Sequence, residues 1–92
     1  MLNVVTGYGA EIGDALVNHQ GVDKLSFTGS SQIGKMVGGK ATERMAHVSL
    51  ELGGKNPNVV FADADLDAAL DNALNAGFMD SGLVCSAGTR LI

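Results

Sequence analysis

Apolar and polar positions change period several times along the chain, and each change marks an element. Residues 3–6, Asn-Val-Val-Thr, read as a short strand ended by Gly7-Tyr8-Gly9. Residues 10–19 follow with Ile12, Ala15 and Leu16 at helical spacing, and Gln20-Gly21 has the composition of a helix stop. Residues 22–27, Val-Asp-Lys-Leu-Ser-Phe, read as a second strand. Thr28-Gly29-Ser30-Ser31 then turns into a helix over 31–45, with Ile33, Met36, Val37, Ala41 and Met45 on its apolar stripe and the two methionines in the core. Gly38-Gly39 weaken its centre by about 1 kcal/mol each relative to alanine. A third strand covers 47–50. After Pro57, residues 58–61 begin a fourth, and Asp63-Ala64-Asp65 puts acids at the start of a helix, where its dipole favours them. That helix shows an apolar face of Leu66, Ala69, Leu70, Ala73, Leu74 and Gly77 and runs to about Phe78. Residues 89–92 open a last strand.

Strand, helix, strand, helix, strand is the order of an α/β fold with a parallel sheet and right-handed crossovers. Three strands leave at least one sheet edge open. A strand at residue 3 and another starting at residue 89 are the marks expected of a cut chain.

Composition narrows the class. Ninety-two residues make one small domain or a piece of a larger one. Charged residues at 17% against 46% hydrophobic exclude a disordered chain. A net charge of −4 leaves no basic patch for nucleic acid or an anionic membrane. One cysteine rules out an internal disulfide and fits a reducing compartment, with the cytoplasm as the expected location. No apolar run approaches the ~18–20 residues of a membrane span, and the N-terminus lacks the pattern of a signal peptide.

Two glycine-flanked turns carry the candidate chemistry. Leu50-Glu51-Leu52-Gly53-Gly54-Lys55-Asn56-Pro57 brings one carboxylate to the end of an apolar strand, where a following glycine pair turns the backbone sharply. Cys85, the single cysteine, lies in the small-residue loop Ser81-Gly82-Leu83-Val84-Cys85-Ser86-Ala87-Gly88. A general base and a nucleophile fit these places; so do a solvated strand end and a small buried hydrophobe. A third turn, Phe27-Thr28-Gly29-Ser30-Ser31-Gln32-Ile33-Gly34, runs from strand to helix. Free N–H groups there would receive a phosphate, with Gly34 allowing the helix to pack closely on a strand. Its G-x-x-x-x-G spacing is neither the usual dinucleotide fingerprint nor a P-loop, so an ordinary turn capped by Ser30 or Ser31 stands beside it. His19 and His47 lack metal-ligand spacing, and Asp63, Asp65 and Asp67 lack the glycine of a calcium loop, so no metal site is expected.

Taken in order, these segments resemble the aldehyde dehydrogenase superfamily over essentially the whole chain. The stretch from Leu50 to Pro57 matches its glutamate motif, Phe27-Thr28-Gly29-Ser30 with Gly34 its cofactor turn, and Gly82 and Cys85 its nucleophile loop. Asp63-Ala64-Asp65-Leu66-Asp67 falls between them as in the family. The resemblance implies part of a Rossmann-like parallel sheet, the end of an NAD(P)-binding domain over residues 1–55. This would run into the start of an α/β catalytic domain over residues 56–92.

It further implies oxidation of a small-molecule aldehyde to a carboxylic acid with NAD or NADP. Cys85 would be the nucleophile and Glu51 the general base. Gly29, Ser30, Ile33 and Gly34 would line the cofactor, with Leu52 and Gly53 behind the nicotinamide, in a dimeric or tetrameric parent enzyme. Two positions depart from the family pattern: Leu83 replaces a usual glutamine and Asp80 a usual asparagine. A carboxylate at Asp80, if close to the thiol, would disfavour the thiolate. The family's upstream oxyanion asparagine and its ribose-binding residues have no counterpart in the chain, so the isolated piece is expected to be inactive. A non-catalytic chain serving only as a binding or structural piece is the alternative, and a coenzyme A-acylating relative a weaker one.

Overall fold

The ladder that organises the first half joins β1 (Lys24–Gly29) to β2 (His47–Leu52) in parallel, Lys24 opposite His47 and Gly29 opposite Leu52. A parallel pair needs a crossover, supplied by α2 (Ser31–Glu43). Ser30 caps this helix, its hydroxyl accepting the Ile33 N–H at 3.3 Å. At the far end Arg44 closes α2 and reaches two carbonyls: its Nε donates to Val17 at 3.1 Å and its Nη1 to Val22 at 2.6 Å. Ahead of β1 lie a π-helical turn (Gly9–Gly13) and the short helix α1 (Asp14–Asn18). The buried residues of α1 and α2, Val17, Val37, Ala41 and Gly34, form the core here.

The computed structural model describes all 92 residues and divides into two units, Met1–Leu52 and Gly53–Ile92. The second unit contains a two-residue parallel pair, β3 (Pro57–Asn58) with β4 (Arg90–Leu91), and helix α3 (Leu66–Phe78). Asp65 caps α3, its carboxylate accepting the Ala68 N–H at 3.2 Å, and Asp67 lies in the first turn. A 3-10 turn (Met79–Gly82) leads to the cysteine loop. Ala87 is the one buried hydrophobic residue of this unit. No helix is long and apolar enough to cross a membrane.

The α/β class and the parallel pairing are as expected, but several elements are not. Residues 3–6 form no strand. A strand exists only where a neighbour receives its N–H and C=O groups, and no backbone bond joins these residues to a ladder. The sheet around β1 therefore has two strands, not three. The helix expected over 10–19 opens as a π-turn, with the Glu11 and Ile12 N–H groups both bonded to the Tyr8 carbonyl, and ends at Asn18 with His19 as its cap. The strand expected over 22–27 is shifted to Lys24–Gly29, and that over 47–50 runs on to Leu52.

The fourth strand shrinks to Pro57–Asn58, because β4 offers only Arg90 and Leu91 as partners, although the Val60 N–H still reaches the Ile92 carbonyl. Met36 and Met45, expected in the core, are exposed. Met45 follows the end of α2 with φ of 59°, outside the helical stripe that would have buried it. The leucines of α3 are exposed as well. The side of α3 that packs is the one carrying Ala69, Ala73 and Ala76, each only half-buried.

Candidate functional site

Alternation along β2 decides where Glu51 points. Leu50 and Leu52 lie against α2: a Cβ on Gly38 would fall 3.4 Å from a Leu50 methyl, and one on Gly34 would fall 2.5 Å from a Leu52 methyl. Neighbouring strand side chains take opposite faces, so Glu51 stands on the face away from α2, exposed and opposite Thr28 in the register. Gly53 and Gly54 follow with exposed backbone.

Gly29 ends β1 opposite Leu52, and Ser30 and Ser31 begin α2. With the Ile33 N–H bonded to Ser30 and the Gly34 N–H to the Ser30 carbonyl, the Ser31 and Gln32 N–H groups point out of the helix start. No acidic side chain occupies the first turn. These donors fit the anionic pyrophosphate of a dinucleotide. Ile33 is exposed beside them, whereas Gly34 is buried beneath Leu52 and serves by bringing α2 onto β2. Gly29 has no room for a side chain, since a Cβ there would fall 2.6 Å from the Phe27 ring.

Cys85 belongs to the other unit, on the tight turn Val84-Cys85-Ser86-Ala87, closed by the Ala87 N–H on the Val84 carbonyl at 3.0 Å. Its thiol is free and exposed, and its own N–H has no acceptor in the chain. Upstream, Asp80, Ser81 and Gly82 adopt left-handed φ of 49°, 59° and 74° in succession, which reverses the chain leaving α3. Leu83, where the family pattern has an amide, projects into solvent. Downstream, the Gly88 N–H donates to the Ala76 carbonyl at 2.9 Å, and Gly88 sits where a Cβ would lie 3.0 Å from Ala76 Cβ and 3.1 Å from Asn58 Cβ.

Asn56 falls within the glutamate motif, where the sequence pattern gives it no task of its own. Its side-chain Nδ2 donates to the Cys85 carbonyl at 3.2 Å, and its carbonyl accepts the Arg90 N–H at 3.1 Å. The signal that could have flagged it is asparagine before proline, because asparagine tolerates the left-handed region, here φ of 50°.

Other features stand apart from this chemistry. An open apolar groove of about 340 Å³ runs along α3 and β4 between residues such as Leu70, Phe78 and Leu91, and Cys85 does not line it. His19 Nδ1 accepts the Gly21 N–H at 3.0 Å, and no cluster of three metal-ligating side chains occurs. Lys40 pairs with Asp14 across α1 and α2. The Lys40 ammonium, by hydrogen bond and then by charge, holds the Asp14 carboxyl below the usual carboxylate range.

The aldehyde dehydrogenase family model matches residues 1–92. Betaine aldehyde dehydrogenase of Bacillus subtilis (strain 168) is 52% identical over 90 residues, which is 98% of this chain and 18% of that protein. Human retinal dehydrogenase 2 is 45% identical over 92 residues, again 18% of its length. Among solved structures, the NAD+ complex of an aldehyde dehydrogenase from Bacillus cereus superposes with a TM-score of 0.89 at 46% identity, over 92% of this chain and 17% of that one. Betaine aldehyde dehydrogenase of Staphylococcus aureus with NAD+ gives 0.89 at 47% identity, over 95% and 17%. The chain thus spans under a fifth of the length of the relatives it matches.

Proposed function

The chain belongs to the aldehyde dehydrogenase family, and from that membership we propose that it carries the nucleophile and the general base for NAD(P)-dependent oxidation of an aldehyde to a carboxylic acid. The observation that carries this is the free thiol of Cys85, exposed on a tight turn beside its own uncommitted N–H. The Cys85 thiolate attacks the aldehyde carbon, forming the C–S bond of a thiohemiacetal, and its N–H receives the developing oxyanion. Bound NAD or NADP would supply the hydride acceptor that leaves a thioester on Cys85. Glu51 takes a proton from water, whose oxygen adds to the thioester; the C–S bond then breaks and the thiolate returns.

The Ser31 and Gln32 N–H groups hold the pyrophosphate, Gly29 and Ser30 form the turn it rests on, and Ile33 flanks the adenine side. Gly34 acts through the packing of α2, while Leu52 and Gly53 back the nicotinamide. Residues 1–55 are assigned to the cofactor domain and 56–92 to the catalytic domain. A single free exposed thiol suits a reducing compartment and so the cytoplasm.

The same reasoning makes the isolated 92 residues inactive. They span under a fifth of the length of the relatives they match, and the oxyanion asparagine and ribose-binding residues of the family pattern have no counterpart among them. The test is Cys85→Ala in the enzyme carrying this segment. Turnover falls by about 10³-fold or more, as when a covalent nucleophile is removed, while dinucleotide binding followed by fluorescence stays as in the unaltered enzyme. Retained aldehyde oxidation overturns the assignment.

A further inference from the structure

We propose that Asn56 is a positioning residue for the nucleophile's turn, a role that rests on the assignment of Cys85 above. In the turn Val84-Cys85-Ser86-Ala87, the one internal bond runs from the Ala87 N–H to the Val84 carbonyl. The Cys85 carbonyl lies outside that bond and would otherwise face water alone. Asn56 Nδ2 donates to it at 3.2 Å, so the Cys85–Ser86 peptide plane is held from outside the turn. Fixing that plane fixes the direction of the Cys85 Cα–Cβ bond, and with the turn closed it also fixes where the Cys85 N–H points. Both matter to a thiolate that must meet a carbonyl carbon while its N–H meets the oxygen, since a small misplacement of such groups costs rate.

The anchor is firm for two reasons. The Asn56 carbonyl accepts the Arg90 N–H at 3.1 Å, which ties it into the β3–β4 ladder. Its φ of 50° before Pro57 is a conformation that asparagine tolerates better than most residues, and it aims the short amide at the turn. Asn56 links the end of the glutamate motif to the nucleophile without touching substrate.

Backbone and side-chain contributions separate by choice of variant. Asn56→Gly keeps the left-handed backbone accessible and removes the amide. Asn56→Asp keeps size and backbone preference but turns an acceptor toward the Cys85 carbonyl. Both are made in the enzyme carrying this segment and compared by hydrogen exchange of a peptide spanning residues 83–88, by thermal midpoint, and by kcat and KM. Both variants should exchange faster at residues 84–87 only. Their kcat should be about three- to tenfold lower, the worth of one hydrogen bond, with KM for the aldehyde and the thermal midpoint unchanged. Wild-type exchange at the turn, or wild-type kcat, in both variants overturns the proposal, as does a kcat loss that tracks a fall in midpoint. An active Cys85→Ala enzyme brings down the assignment of the nucleophile instead, so the two failures are told apart.

Discussion

The two units hold their candidate residues by different means. In Met1–Leu52, Glu51 and the turn at Gly29 and Ser30 ride on a six-residue parallel ladder, with a helix packed on one face through Leu50, Leu52, Gly34 and Gly38. In Gly53–Ile92, Cys85 rides on a turn fixed by single hydrogen bonds, three consecutive left-handed residues and a glycine wedged against two Cβ atoms. In the first the ladder is regular and the contact with the helix is side-chain packing, whose pieces can shift by rotating a leucine side chain. The second is backbone geometry, which has little slack. A nucleophile needs a fixed direction more than a deep core, and a turn pinned at several backbone atoms gives that direction with Ala87 as its one buried hydrophobic residue.

The sharpest way to break this contrast is Gly88→Ala. The added methyl meets Ala76 Cβ at 3.0 Å and Asn58 Cβ at 3.1 Å, and neither atom can swing away. The backbone must move, at about 1–3 kcal/mol, toward the upper end. Hydrogen exchange should rise over residues 84–91 while the β1–β2 amides keep their protection. Equal loosening of that ladder would show the two supports to be one.

Gly34→Ala is the matched change in the first unit and should cost less. The clash is nominally worse, 2.5 Å, but the atoms met are the methyl ends of Leu52. Leu52 can rotate, and alanine returns about 1 kcal/mol of helix propensity. A net loss of about 1 kcal/mol is expected, and the penalty should disappear when Leu52 is also cut to alanine. An effect as large as that of Gly88→Ala, or additivity with Leu52→Ala, contradicts the idea that packing here yields.

Much of the first unit was legible because its signals are local. Helix α2 announces itself by Ser30 and an apolar period of 3.6, and β2 by an apolar run that ends at Glu51 and a glycine pair; Asp65 likewise marks the start of α3. The failures share a cause. Whether residues 3–6 pair, and whether residues 58–61 pair beyond Asn58, depends on ladder partners that no local pattern reveals. The stripe of leucines on α3 and Met36 have core spacing yet lie exposed, because burial requires a second surface, while Met45 falls past the end of α2. Around Cys85, Asp80-Ser81-Gly82 is turn-prone in composition, but its run of left-handed residues is not. The bond from Asn56 to Cys85 joins residues 29 apart, beyond any local rule.

The smallest expected effect concerns the ion pair of Asp14 with Lys40, which ties α1 to α2 and has no counterpart in the second unit. Lys40 lowers the Asp14 carboxyl below its ordinary value of 3.8. A carboxylate lowered on folding adds stability above its unfolded value and loses that contribution as pH falls through its folded one. The side chain of Asp14 is 53% exposed, so solvent and salt screen the pair and its worth is slight. Asp14→Asn should lower the thermal midpoint marginally at pH 7 in dilute buffer. The gap should close as pH drops below 3.8, and also at roughly 1 M salt, where the screening length is near 3 Å. A gap that persists under both conditions would mean that Asp14 acts through the packing of its side chain, not through its charge. The tie between α1 and α2 would then be of the same packed kind as the contact of α2 with β2, and the contrast with the cysteine turn would sharpen.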